Sequence, residues 1–261
     1  MARRAPQGSP EPAPRTVRRT LWVSLLALAA FVATLIVRLP ARWVLPATGR
    51  ELRCLGIEGS IWNGACSGAT VGGTPLGDLT WQLHPARLLG GQLAAQVWAR
   101  RARASARADV ALSLGGALTA RHVRIDLPLD PTLLPMLPRQ ISGTAQVRLS
   151  RLALARNGAV RQIQGRIAVY HLVDSSGQRT PLGSFAVTFP GGPGDPVGHL
   201  RDLGGPLAVE GTLRLTGRAG YDLRVRVAAR AQAAPSLVNA LQYLGSPDAE
   251  GWRPFALAGT Y

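Results

Sequence analysis

The sequence predicts a mostly β protein: a single N-terminal transmembrane helix, then a curved, largely antiparallel sheet with short helices. Three observations carry this. Beyond residue 90, apolar and polar residues alternate with a period of two in segment after segment, the mark of strands with one apolar face. One uncharged apolar run, residues 21–37, stands near the start. The helix-like stretches are few and short, and each starts at a proline, a residue suited to the first helical position.

Residues 1–20 hold Arg3, Arg4, Arg15, Arg18 and Arg19 among four prolines and cannot form a core, so they read as a disordered basic cytoplasmic tail. The anchor takes residues 21–38. Its apolar run is at the short end for a spanning helix, and Arg38 can snorkel at its margin. Trp22 and Trp43 flank it as interfacial aromatics do. The competing reading is a cleaved signal peptide, but Leu35-Ile-Val-Arg-Leu lacks a small-x-small cleavage site. Five arginines precede the run and four follow it closely, so charge alone biases the amino terminus only slightly toward the cytoplasm. Residues 39–261 then form a periplasmic β domain of a single-pass inner-membrane protein.

Residues 52–91 organise that domain. Leu79, Trp81 and Leu83 share one face of a strand, and Thr80, Gln82 and His84 the other. Gly59 and Gly64 bracket Ser-Ile-Trp-Asn, a segment that can turn or bulge the chain. Cys54 and Cys66 lie symmetrically about Ser60. In a hairpin centred there they face each other closely enough for a disulfide. Such a bridge suits an oxidising periplasm, and the alternative is two unpaired thiols. A zinc site lacks a second ligand pair.

The series Gly59-Ser-Ile-Trp62-Asn-Gly64, then Leu76-Gly77-Asp-Leu-Thr-Trp81-Gln-Leu83, then Pro85-Ala-Arg-Leu-Leu-Gly-Gly91 resembles the type II secretion system protein N family. Ser60 and Ile61 stand where that family's pattern has Thr-Leu. The resemblance extends to the anchor and to the tail, where Leu241, Gly245 and Asp248 match; the middle of the chain is similar only in texture. It implies a fold related to AsmA-type periplasmic proteins, whose long gutter-shaped sheets have an apolar inner face. It implies an accessory component of type II secretion that assists export of folded proteins across the outer membrane. Other inner-membrane or periplasmic secretion subunits would be its partners.

Further along, Leu93, Ala95 and Val97 share a face, as do Val110, Leu112 and Leu114. Val123, Ile125 and Leu127 follow, then Ala145, Val147 and Leu149. Leu152 and Leu154 fall on the opposite phase, which predicts a bulge near Ser150 and Arg151. Later strands are led by Ile163, Phe185, Leu207 and Tyr221, and the last by Phe255 and Leu257. Short helices are expected over residues 85–89, 131–137 and 235–244; Asp130 is a good cap for the second. Residues 190–206, rich in Gly and Pro, read as an irregular flexible loop and not as a phosphate loop.

Composition narrows the functions. Apolar residues make up 46% of the 261, enough for a core, while aromatics are 5%, which argues against an aromatic-lined binding module. All thirty basic residues are arginine, and the net charge of +16 favours anionic head groups or acidic partners. Nucleic-acid binding is not expected: the densest run, Arg100, Arg101, Arg103 and Arg107, bridges two strands behind an anchor. His84, His122, His171 and His199 are isolated, and no H-E-x-x-H, C-x-x-C or G-x-S-x-G occurs. Asp126 with Asp130, and Asp248 with Glu250, read as strand-end, capping and turn acids. Trp62 and Trp81 could stack on a ligand or pack the end of the sheet. No enzyme, cofactor or metal is expected. Two functional readings remain: a secretion subunit acting through protein contacts, or an AsmA-like protein whose apolar face binds or transfers phospholipid or acyl chains. An apolar face filled by its own side chains favours the first; one left open over several strands makes lipid credible.

Overall fold

Period-two patterning with tight glycine turns builds one antiparallel sheet of 14 strands. The computed structural model describes residues 24–28, 30, 31, 34, 38, 40, 41, 52–130, 138–192, 194–217 and 219–260. In chain order the strands are β1 (Leu52–Arg53), β2 (Gly56–Gly59), β3 (Asn63–Val71), β4 (Thr74–Leu83), β5 (Gln92–Arg101), β6 (Ala104–Ser113) and β7 (Leu118–Leu129). They continue as β8 (Ile141–Leu154), β9 (Val160–Asp174), β10 (Thr180–Phe189), β11 (Val197–Asp202), β12 (Leu207–Thr216), β13 (Gly220–Ala229) and β14 (Arg253–Thr260). From β3 onward each strand pairs with the next in sequence, while β1 and β2 both pair with the outer edge of β3. The sheet is a meander and does not close: β1 and β2 stand at one end and β14 at the other. The β3–β4 turn is Gly72-Gly73 with φ of 55° and 83°, a two-residue hairpin that requires the left-handed region at both positions.

The bulge expected near Ser150 is present. The β8–β9 register passes from Leu149↔Gly165 to Arg151↔Gln164, so Ser150 is an extra residue on β8. The β6–β7 register slips beside it, from Arg107↔Arg124 to Asp109↔Arg121, which puts an extra residue on β7 next to His122. Leu149 and Leu152 therefore both reach the apolar face. His122 takes a φ of 50°, and its Nδ1 lies 2.8 Å from Asp109 Oδ2, a local bond that holds the unusual backbone.

Two expectations need correction. Residues 190–206 are not one loop, because β11 lies inside them and pairs with β10 and β12. Gly198 disguised the strand: a Cβ there would lie 2.6 Å from Val187 and 2.7 Å from Phe189, so a residue that reads as a loop former is required by packing. The first short helix is a 3-10 turn, Pro85–Gly90, stopped by Gly91 at φ 68°. The third expected helix is present over its whole span: helix α1 is Pro235–Leu241, and a 3-10 turn, Gln242–Leu244, completes it.

The second expected helix, residues 131–137, lies outside the described residues. So do the tail, residues 1–20, and much of the anchor expected at residues 21–38. Residues 24–28 are helical, with Leu25, Leu26 and Leu28 exposed. Among the described residues no helix is long and apolar enough to cross a membrane.

The apolar side chains gather on one face in two clusters. One joins Ala120, Val123, Leu149, Ile163 and Phe189 from β7 to β10. The other joins Val209 and Val227 to Leu241 of α1, with Phe185, Leu200 and Leu207 around them. Helix α1 thus covers the sheet near β12 and β13 through Leu237 and Leu241, its buried residues.

Candidate functional site

The apolar face is not covered throughout. At the β4–β7 end, Trp81 and Leu83 face Val97 and Ala95 across the ladder, and these face Ala108 and Val110 in turn. Partners in register share a face, so these side chains form one apolar surface. With Ile61 and Leu118 they line a concavity of about 340 Å³. A second concavity of about 270 Å³, lined by Leu76, Ala99, Ala106, Ile125 and Leu127, lies on the same face. Leu79 faces Ala99 across the β4–β5 ladder, which joins the two along the sheet. Leu76, Leu93 and Leu112 remain exposed at 38%, 45% and 42%. This apolar surface, open to solvent and spanning β4 to β7, is the candidate site.

Trp81 is anchored within it. Its Nε1–H donates to the Ile61 carbonyl at 3.0 Å, which satisfies the indole's polar edge and leaves the ring to the concavity. Trp62, at the β2–β3 turn, is half-buried, and its carbonyl accepts from the Leu83 backbone N–H at 2.7 Å. Both tryptophans therefore belong to the framework of the site, and Trp81 also lines it.

The disulfide joins Cys54 to Cys66, with Cα atoms 5.5 Å apart. The two cysteines do not face each other across a hairpin centred on Ser60. The pairing Gly59↔Gly64 and Ile57↔Cys66 centres the turn between Ile61 and Trp62. Cys54 instead falls in the break between β1 and β2. There Leu55 is flipped outward, 91% exposed, and the bridge reaches β3 from that break. Cys66 is buried.

The remaining motif residues have backbone reasons. Gly59 has φ 82°, and Gly77 has φ 88° with the Arg100 carbonyl 2.3 Å from where a Cβ would sit. Gly64 meets the Trp81 ring. Pro85 opens the 3-10 turn and Gly91 ends it. Leu241 plugs the second cluster, Gly245 ends the following turn, and Asp248 Oδ1 accepts from the backbone N–H of Glu250 and Trp252. The structure does not bring these groups together: the first series lies at the β3–β5 end and the second at the β13–β14 end. Asp126 takes part in an ion pair with Arg148, and His84, His171 and His199 join no cluster. Among the described residues, no group of His, Cys, Asp or Glu could hold a metal ion. Sequence reasoning missed the concavities, because they depend on the register of four strands, and the alternation within any one strand carries no trace of it.

The described residues thus define one class of protein, an open antiparallel meander with a half-covered apolar face. Comparison with known proteins narrows this. The model of the family described as type II secretion system (T2SS), protein N matches residues 50–256, most of the chain, and the chain belongs to that family. A type II secretion system protein N from Vibrio cholerae is 37% identical over 83 residues. That match covers 31% of this chain and 33% of the relative, so the chain is aligned to about a third of that relative's length. No solved structure matches. The family takes its name from the type II secretion system.

Proposed function

We propose that this chain is an accessory, non-catalytic inner-membrane subunit that assists export of folded proteins across the outer membrane through contacts with other secretion subunits. The family match over residues 50–256 carries the reading. The open end of the sheet supports it. Among the described residues, strand β14 pairs with β13 on one side only, and its other edge offers backbone donors and acceptors of the kind that recruit a partner strand. In this reading the basic tail is cytoplasmic, residues 21–38 cross the inner membrane once, and residues 39–261 stand in the periplasm. The Cys54–Cys66 bridge agrees with an extracytoplasmic domain. The sheet is curved as a gutter with the apolar face inside.

A second reading rests on the two joined concavities. They could hold acyl chains, which makes AsmA-like binding or transfer of phospholipid the alternative. Deletion of the chain separates the two. Retention of a folded exoprotein in the periplasm, with normal resistance to a large hydrophobic antibiotic, is the expected result. Normal secretion with a leaky outer membrane would overturn the subunit reading in favour of lipid.

A further inference from the structure

The polar face carries a feature that no single strand reveals. Arg107 lies opposite Arg124, Arg124 opposite Arg148, and Arg148 opposite Arg166. Four adjacent strands thus place an arginine at the same level, in a row crossing β6 to β9 over roughly 15 Å at the usual strand spacing. All four are exposed. Three residues further along both β7 and β8, Arg121 faces Arg151 and makes a second like-charged pair on the same face. Directly opposed like charges destabilise a sheet. The acids nearby do not neutralise them. Asp126 is taken by Arg148, whose Nη2 donates to both of its oxygens at 2.6 and 2.8 Å, and Asp109 by His122. Arg107 lies over the Trp98 ring, 5.7 Å from its centroid. Among the described residues, Arg124 and Arg166 have no acidic partner.

We infer that this row docks an acidic protein segment, its carboxylates seated between successive guanidinium groups. Two observations favour a polypeptide over a lipid surface. The row is narrow, a single arginine per strand with a short second rank. Its neighbours on this face are mostly polar, Ser105, Gln146, Ser150, Gln164 and Thr188; Trp98 lies under Arg107 and Ala168 is buried, so the row lacks a free aliphatic flank to enter a bilayer. The Arg148–Asp126 pair shows that a guanidinium on this face takes up a carboxylate, with one Nη2 donating to both of its oxygens.

The inference deepens the subunit-contact reading but is tested apart from it, on purified protein rather than by secretion. The full chain in uncharged detergent micelles is titrated with fluorescent deca-glutamate, and separately with vesicles of phosphatidylglycerol and phosphatidylcholine. The R124Q/R166Q variant should bind the peptide about tenfold more weakly. An R139Q/R156Q variant, which removes the same charge from turns outside the row, should bind as the unchanged protein does. The row variant should melt no lower than the unchanged protein, since it relieves like-charge repulsion. Equal weakening in both variants, preference for vesicles over peptide, or no peptide binding would each overturn the inference.

Discussion

Arg230, just beyond β13, reaches back to Asp202 at the end of β11, with Nη2 2.8 Å from Oδ1. Its Nη1 donates to the carbonyls of Gly205 and Leu207, both at 3.0 Å. Asp202 in turn accepts from the backbone N–H of Gly204 and Val209. One ion pair thus ties β11, the turn after it, β12 and the end of β13 into a unit.

That network makes a pH prediction. Burial pushes the Asp202 carboxyl up more than any other single influence. The Arg230 hydrogen bond and charge and the two backbone N–H groups together outweigh it and hold the carboxyl below its ordinary value. A carboxylate with a depressed folded pKa stabilises the fold above its unfolded value, near pH 4, and that contribution is lost as pH falls through the folded value. Asp202→Asn should therefore lower stability at neutral pH by about 1–3 kcal/mol. The difference between variant and unchanged protein should shrink below about pH 4, measured by urea unfolding across pH. A difference that grows on acidification would contradict the assignment.

The disulfide gives a second expectation. Cys54 and Cys66 are 12 residues apart in sequence, so the closed loop restricts the unfolded chain by about 3 kcal/mol. Cys54→Ser with Cys66→Ser should lower the denaturant midpoint accordingly. Reductant should reproduce the loss in the unchanged protein and do nothing to the double variant. Non-reducing peptide mapping of protein recovered from the periplasm should show the linked pair; free thiols there would sink the bridge.

Gly64 and Trp81 test the framework of the site. A Cβ at Gly64 would lie 2.2 Å from Cζ2 of Trp81, so Gly64→Ala forces the ring to move. Overpacking of this kind costs about 1–3 kcal/mol. Trp81→Phe keeps most of the apolar surface but loses the bond to the Ile61 carbonyl, at about 1 kcal/mol. Trp81 fluorescence should shift in Gly64→Ala, and an unchanged spectrum would place the ring elsewhere.

Leu241 probes the cover at the far end. It is buried against Val209 and Val227. Leu241→Ala should cost about 2–4 kcal/mol and raise binding of a hydrophobic dye at that end. Helix α1 is too short to be stable without that packing, so its helical signal should fall as well.

Much of this molecule is legible without coordinates. The alternation of Leu79, Trp81 and Leu83, or of Val123, Ile125 and Leu127, fixes a strand and its apolar face, because a side-chain period of two is a property of the extended backbone itself. The opposite phase of Leu152 and Leu154 announces a bulge for the same reason. The spacing of Cys54 and Cys66 permits a local bridge, and the Gly-Trp-Gly and Gly-Trp series mark the family. These are all local facts. What only the tertiary structure decided is relational. Gly198 turned a suspected loop into β11 because its neighbours Val187 and Phe189 fill the space a side chain would need. The hairpin centre moved past Ser60, which put Cys54 in a strand break instead of on a ladder. The arginine row and the joined concavities arise from register between strands. Register is set by bulges and turn lengths summed along the meander, and a shift of one residue anywhere would send each of those side chains to the other face.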